Sequence, residues 1–398
     1  MAMTLKSNPA SDAAAHNDLI FVVDSTNKAN TNYKYICDVY INAVRVARFK
    51  NNANPNFSNY GVFNVNKVIQ DYINSNYFTA PTQYGIIEPY IDYVIKFSER
   101  YESGGIEVTN NDVIVDSTRT SWNIAFGLIE NQSALSTLTA KFAFLTDRSR
   151  TQYFNIKSTD KCFVTAFNVD EDLTGYRLTY YPQYNGGGVS SNEVVAIADC
   201  FSFILNTLNS SYTVPVGTKS IKIEIKSGGS YYDSLLFNLD ACSQFDRQHF
   251  VFMNRYGGYE SVYFDKKSRS IINSEKKTML GQGFEYNAST FKLDSKDSNG
   301  VFYEQIKTFG TKYNEKIRVN SDWLTDADYV WLKSLLLSPV IYYEYSVPAN
   351  IFGDAAVKYF VPVQLPRAEY EVKKKINEKL TQIELEFEIG FNNYTQFR

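Results

Sequence analysis

Apolar and polar residues alternate along most of this chain with a period of two, the spacing of strands that bury one face. Tyr35, Cys37, Val39 and Ile41 share a face while Asp38 falls on the other, and a turn at Asn42-Ala43 leads on to Arg45 through Phe49. Ile91, Tyr93, Ile95 and Phe97 repeat the pattern. So do Ile221, Ile223 and Ile225 against Lys222, Glu224 and Lys226, which predicts a sheet with one wet face. Near the end, Ile383, Leu385, Phe387 and Ile389 alternate with carboxylates and amides. Two glycine pairs read as hairpin turns: Ser227-Gly-Gly-Ser230, and Gly257-Gly258 between the tyrosine-rich stems of Phe250 through Phe264.

The period lengthens to that of a helix in two places. Val65, Val68, Ile69 and Tyr72 form one stripe after Asn64, whose side chain is placed to cap the first turn. Thr325 with Asp328 makes a second N-terminal box, followed by apolar Trp331, Leu332, Leu335 and Leu336 and stopped at Ser338-Pro339. That helix is predicted at about 325–337, packed on a sheet.

The expectation is a mainly β protein of two or three β-sandwich or barrel-like domains with a few short helices. A chain of 398 residues exceeds what one core supports. Residues 1–18 read as a flexible polar arm, 19–117 as a β-rich domain, 118–244 as a sandwich-like domain, and 245–398 as a C-terminal β domain holding the second helix.

Composition then narrows the function. A net charge of −3 gives no basic field for nucleic acid, and the cluster Lys373-Lys374-Lys375 is answered by Glu369, Glu371, Glu378, Glu384, Glu386 and Glu388. No apolar run approaches the roughly 18 residues of a membrane span, and the first residues lack the apolar core of a secretory signal. Four cysteines far apart and two histidines supply no zinc spacing, and no cofactor or metal is expected. The acids Asp170, Glu171, Asp172, Asp326 and Asp328, and His249 beside Arg247 and Asp246, read as turn, helix-start and interface residues rather than catalytic groups. The aromatic share is high, with 31 Tyr and 28 Phe, side chains that suit half-buried sheet surfaces and interfaces.

The hairpin Asn254-Arg-Tyr-Gly-Gly-Tyr259, the helix within Trp323 through Pro339, and the terminal patterns Tyr370-Glu-Val-Lys and Leu385-Glu-Phe-Glu together resemble virion structural proteins of tailed phages infecting Bacteroidota. The resemblance covers roughly the last 150 residues. It implies a noncatalytic tail, ring, adaptor or baseplate component, assembled in the host cytoplasm into the virion. Its partners would be copies of itself in a ring and neighbouring tail proteins. The alternative is a carbohydrate-binding, adhesin-like tail protein that contacts host surface glycan. Tyr256, Tyr259, Trp122 and Trp323 are the candidate interface or glycan contacts.

Overall fold

The computed structural model describes residues 3–73, 84–86, 90–125, 143–157, 162–167, 173–181, 190–194, 200–204, 216–227, 230–239, 245–347, 357–366, 372–375, 380–390 and 393–397. The fold is mainly β, with two α-helices among these residues, Asn66–Tyr72 and Asp326–Leu336. The chain divides into two compact units. Unit 1 comprises Met1–Ala241, Phe252–Ser261 and Val330–Pro339, and unit 2 comprises Cys242–Val251, Val262–Tyr329 and Val340–Arg398. Spans 19–117 and 118–244 therefore fall largely in unit 1. The 245–398 span lies in unit 2, apart from the hairpin tip and the second half of the helix.

Unit 1 opens with the segment expected to be a free arm, and here the expectation is corrected. Met3–Ser7 pairs antiparallel with Ile20–Ser25, and Asp12–Ala14 pairs with Arg119–Trp122. Met3, Ala13, Ala14, Ala15 and Leu19 are buried. The small alanines read as polar-arm composition, yet small residues are what a close-packed strand position accepts.

Met3–Ser7, Ile20–Ser25 and Gly61–Asn64 form a three-stranded sheet. A six-stranded sheet is built on Thr31–Ile41 and Tyr90–Ser103, whose inward faces carry Tyr35, Cys37, Val39, Ile95 and Phe97. Both sheets contribute to one apolar core, closed by Ile69 of the first helix. Asn64 does not cap that helix as expected: Val65 occupies the cap position, and the Asn64 amide oxygen accepts from Leu19 N (3.1 Å) as well as Asn66 N (3.3 Å). The Asn42-Ala43 turn is present, with φ of 49° and 61° linking Thr31–Ile41 to Val44–Asn52. Asp38, expected on a wet face, is buried and held bidentately by Arg48 at 2.6 and 2.7 Å.

Two further sheets in unit 1 are four- and five-stranded. In the latter, Ser220–Ser227 and Ser230–Leu239 pair as the predicted hairpin, and Ile221, Ile223 and Ile225 are buried. The opposite face is less wet than expected, since Glu224 is also buried, with Lys222 Nζ 2.6 Å away. Asp170, Glu171, Asp172, Gly186, Gly187, Gly188 and Cys242 lie outside the described residues, as do Glu369, Tyr370, Glu371 and Glu378. Cys37 and Cys162 are buried free thiols.

Unit 2 is organised on a nine-stranded sheet that includes Ile341–Val347, Val357–Gln364, Leu380–Ile389, Ile306–Asn320 and Arg269–Leu280 in that order. Ile383, Leu385, Phe387 and Ile389 are buried, as their alternation predicts. Phe250 stacks on Phe387 with ring centroids 4.1 Å apart and meets Phe264 edge-on at 5.6 Å. The intervening carboxylates are answered across the ladder rather than along the chain. Glu386 accepts from Arg318 Nη2 at 2.8 Å and Lys316 Nζ at 3.2 Å, and Glu384 and Glu388 lie within reach of the same two cations. The second helix starts as predicted: Thr325 Oγ1 accepts from Asp328 N (3.3 Å) and donates to the Asp328 carboxylate (2.7 Å). Trp331, Leu332 and Leu335 are buried, joined by Ser334 rather than by Leu336.

Glu99 locks the two sheets at the start of unit 1. Its carboxylate is fully buried and accepts from Ser25 Oγ (2.6 Å), Tyr33 OH (3.0 Å), Asn27 Nδ2 (2.7 Å) and Asn110 Nδ2 (2.7 Å). Burial opposes its charge, but these donors outweigh burial and hold the carboxyl below the usual carboxylate range. A depressed folded-state pKa contributes stability above the unfolded value, near 4.3, that is lost as pH falls through the folded one. Glu99→Gln, which sets an NH2 group against donors, is expected to lower unfolding free energy by about 3 kcal/mol at pH 7. In urea titrations the gap to wild type should shrink below about pH 4; a gap constant with pH would contradict the assignment.

Candidate interaction surface

The tip of the tyrosine-rich hairpin is held by polar contacts. Asn254 Oδ1 accepts from the backbone N–H groups of Tyr256 (3.0 Å) and Gly258 (3.1 Å), folding the loop back on itself. Gly257 sits at φ +80°, and a Cβ there would lie 2.5 Å from Asn123 O, so the turn demands glycine twice over.

Behind the loop, Glu260 has no exposure to solvent. One carboxylate oxygen accepts from Asn254 Nδ2 (2.6 Å), the other from Thr146 Oγ1 (2.7 Å), Trp331 Nε1 (2.6 Å) and Arg148 Nε (3.2 Å). The Arg148 guanidinium donates its remaining reach to Ser261 O and lies over the rings of Trp331 (4.1 Å) and Phe154 (4.5 Å). Neighbouring Asp147 accepts from Arg255 Nη2 (2.8 Å), Tyr256 OH (2.8 Å) and Ser334 Oγ (3.0 Å). Residues 146–148, 254–261 and 331–334 are thus tied together inside unit 1 by buried charge.

This arrangement corrects most of the predicted contact residues. Tyr259 is 2% exposed and Trp122 5%, the latter packed on Tyr90 at 4.7 Å. Neither ring faces solvent, as an open contact residue would. Tyr256 is half-buried, and burial, followed by the Asp147 carboxylate, pushes its phenol up to about 12. It is a structural donor. Trp323 alone stays open, at 37%. Both stems of the hairpin are buried on both faces. Periodicity does not distinguish a ring that faces solvent from one covered by another layer.

His249, Arg247 and Asp328 have structural partners. His249 Nδ1 lies 3.2 Å from Glu344 and its ring stacks on Tyr263 at 4.4 Å, while Arg247 pairs with Asp265 rather than Asp246. Asp328 serves the helix cap. Among the described residues no group of three or more His, Cys, Asp or Glu is placed to hold a metal ion, and no helix is long and apolar enough to cross a membrane.

Exposed apolar surface gathers elsewhere, on a segment sequence reasoning passed over. Arg269–Leu280 and Ile306–Asn320 form a long antiparallel ribbon in unit 2, ending at the pair Leu280 and Ile306. The intervening chain carries the short hairpin of Glu285–Asn287 with Lys292–Asp294. Its order comes from polar contacts. Asp297 accepts from Asn299 N (2.9 Å) and Val301 N (2.8 Å), Asn287 accepts from Ser289 N (3.0 Å), and Tyr303 OH donates to Glu285. The apolar side chains point outward: Leu280 is 89% exposed and Phe291 80%, and Leu293, Val301, Phe302 and Ile306 are each more than half exposed. This is the reverse of a globular core, and exposed apolar clusters of that kind mark interaction sites. The signal in the sequence was Phe291, Leu293, Val301, Phe302 and Ile306 lying in a polar stretch with no alternation to fix a buried face.

Neither protein-family models nor curated proteins match this chain.

Removing one partner of a buried ion pair strands the other, at a cost of about 3–5 kcal/mol. Arg148→Met and Glu260→Gln should each destabilise on that scale, while the double variant should cost clearly less than their sum. Denaturant unfolding of the cycle checks this, and additive losses would show that the two groups act independently.

Proposed function

We propose that the chain is a noncatalytic structural component of a tailed-phage virion: a tail, ring, adaptor or baseplate protein that assembles through interfaces between β domains. The observation that carries this reading is the ribbon at 269–320, which places large apolar side chains in water and arranges polar ones to hold its own shape. An enzyme needs convergent ionisable groups around an open cleft. Here the ion pair of Glu260 with Arg148 is buried and engaged in packing. Assembly also fits the resemblance carried by the hairpin, the helix and the last strands. The test is proteomic and spatial. Virions purified by density gradient are expected to contain this chain at a fixed multiple per particle, and immunogold labelling should place it at the tail. Its absence from washed particles would overturn the reading.

The sugar-binding alternative retains one observation, the open ring of Trp323. If it held, glycan-array binding would be present in wild type and lost in Trp323→Ala; the assembly reading expects no glycan signal in either.

A further inference from the structure

Ten large apolar residues between 279 and 309 are exposed beyond a third of their surface. At roughly 150–200 Å² for each whole side chain of this size, the open fractions amount to about 1,000 Å² of apolar surface. The largest patch on a typical monomer is about 300–600 Å², and a standard protein interface takes about 800 Å² from each partner. Consecutive strand residues such as Met279 and Leu280 point to opposite faces, so this surface is shared between the two faces of the ribbon, and together they offer about as much as one side of a standard protein interface.

We propose that the occupant of this surface is a second copy of the same chain, seated on the side chains at the end of the ribbon around Leu280, Phe291, Phe302 and Ile306. The inference rests on the assembly reading above and assigns its contact. Two arguments select a second copy. Interfaces between identical subunits are the more apolar class, whereas interfaces between separately stable partners are about as polar as the rest of the surface. A patch this size also aggregates if its partner is scarce, and another copy of the same chain is always present in equal amount.

The mode of contact follows from the charges. Arg269–Leu280 is an edge strand with Glu275, Lys276 and Lys277 at its middle. Charged side chains in the middle of an edge strand, lysines above all, disfavour its pairing with another edge. The edge is guarded, so copies meet through side chains at the ribbon end and not by extending the sheet. The cross-strand pairs Leu280 with Ile306 and Tyr286 with Leu293 both lie open.

The experiment compares full-length wild type with Phe291→Glu/Phe302→Glu by light scattering after size exclusion and by sedimentation velocity, from 1 to about 100 µM. Both positions are exposed, and changes at such sites usually leave stability within about 0.5 kcal/mol, so thermal unfolding should coincide for the two proteins. Wild type is expected to show a concentration-dependent oligomer and the variant a dissociation constant raised at least about tenfold, as losing an apolar anchor at an interface does. An oligomer unchanged in the variant would overturn the ribbon as the contact while leaving the assembly reading in place. A wild type that is monomeric throughout would overturn this inference, and the reading would then stand or fall on the virion proteomics. Co-flotation of monomeric wild type with phosphatidylcholine–phosphatidylglycerol vesicles would name a lipid surface as the occupant instead, and also overturns the proposal.

Discussion

A carboxylate removed from water must find its whole solvation shell in protein, and the architecture of unit 1 depends on that constraint. Glu260 satisfies it with donors from three separate stretches of chain, at Thr146 and Arg148, Asn254, and Trp331. Glu99 satisfies it with four donors, from Ser25 and Asn27, Tyr33, and Asn110. An unmet donor or acceptor in either place costs more than an ordinary hydrogen bond contributes, so each cluster permits only one arrangement of the segments around it. Apolar burial makes the sheets stick; these two acids decide which segments lie against which. The rings of Trp331 and Phe154 add to the same end, since both pack against the Arg148 guanidinium and restrict where it can sit.

The opposite solution appears on the ribbon of unit 2. There the polar groups fold inward on the local backbone and the apolar side chains are left to water. A segment built this way keeps its shape in the free chain and still has surface energy to release when covered. Preorganisation of that kind lowers the entropy cost of association. The contrast between a charge-locked interior and an apolar exterior is what directs the functional reading toward assembly.

Much of the fold was legible because strand alternation and capping are local. Ile221, Ile223 and Ile225, the Thr325 and Asp328 box, and the strand of Ile383 through Ile389 follow from neighbours in sequence, and the structure places them as read. What was not legible depends on which layer covers which. Tyr259 and Trp122 look like contact residues by type, and only the packing of distant segments shows them buried. The same limit hid the partners of Glu384 and Glu386, which are Arg318 and Lys316 on an adjacent strand far away in the chain. The N-terminal alanines were misread because composition reports polarity and not the tight space a strand fills. The ribbon escaped notice for the converse reason: its apolar residues have no period, since no buried face imposes one.

The central claim is that this chain works through covered surface, and electron microscopy of the assembled particle tests it most directly. The account predicts density for the chain repeated about a symmetry axis, with residues 279–309 of each copy in contact with neighbouring protein. A map in which these residues project into solvent, with the chain present once and apart from its neighbours, would contradict it.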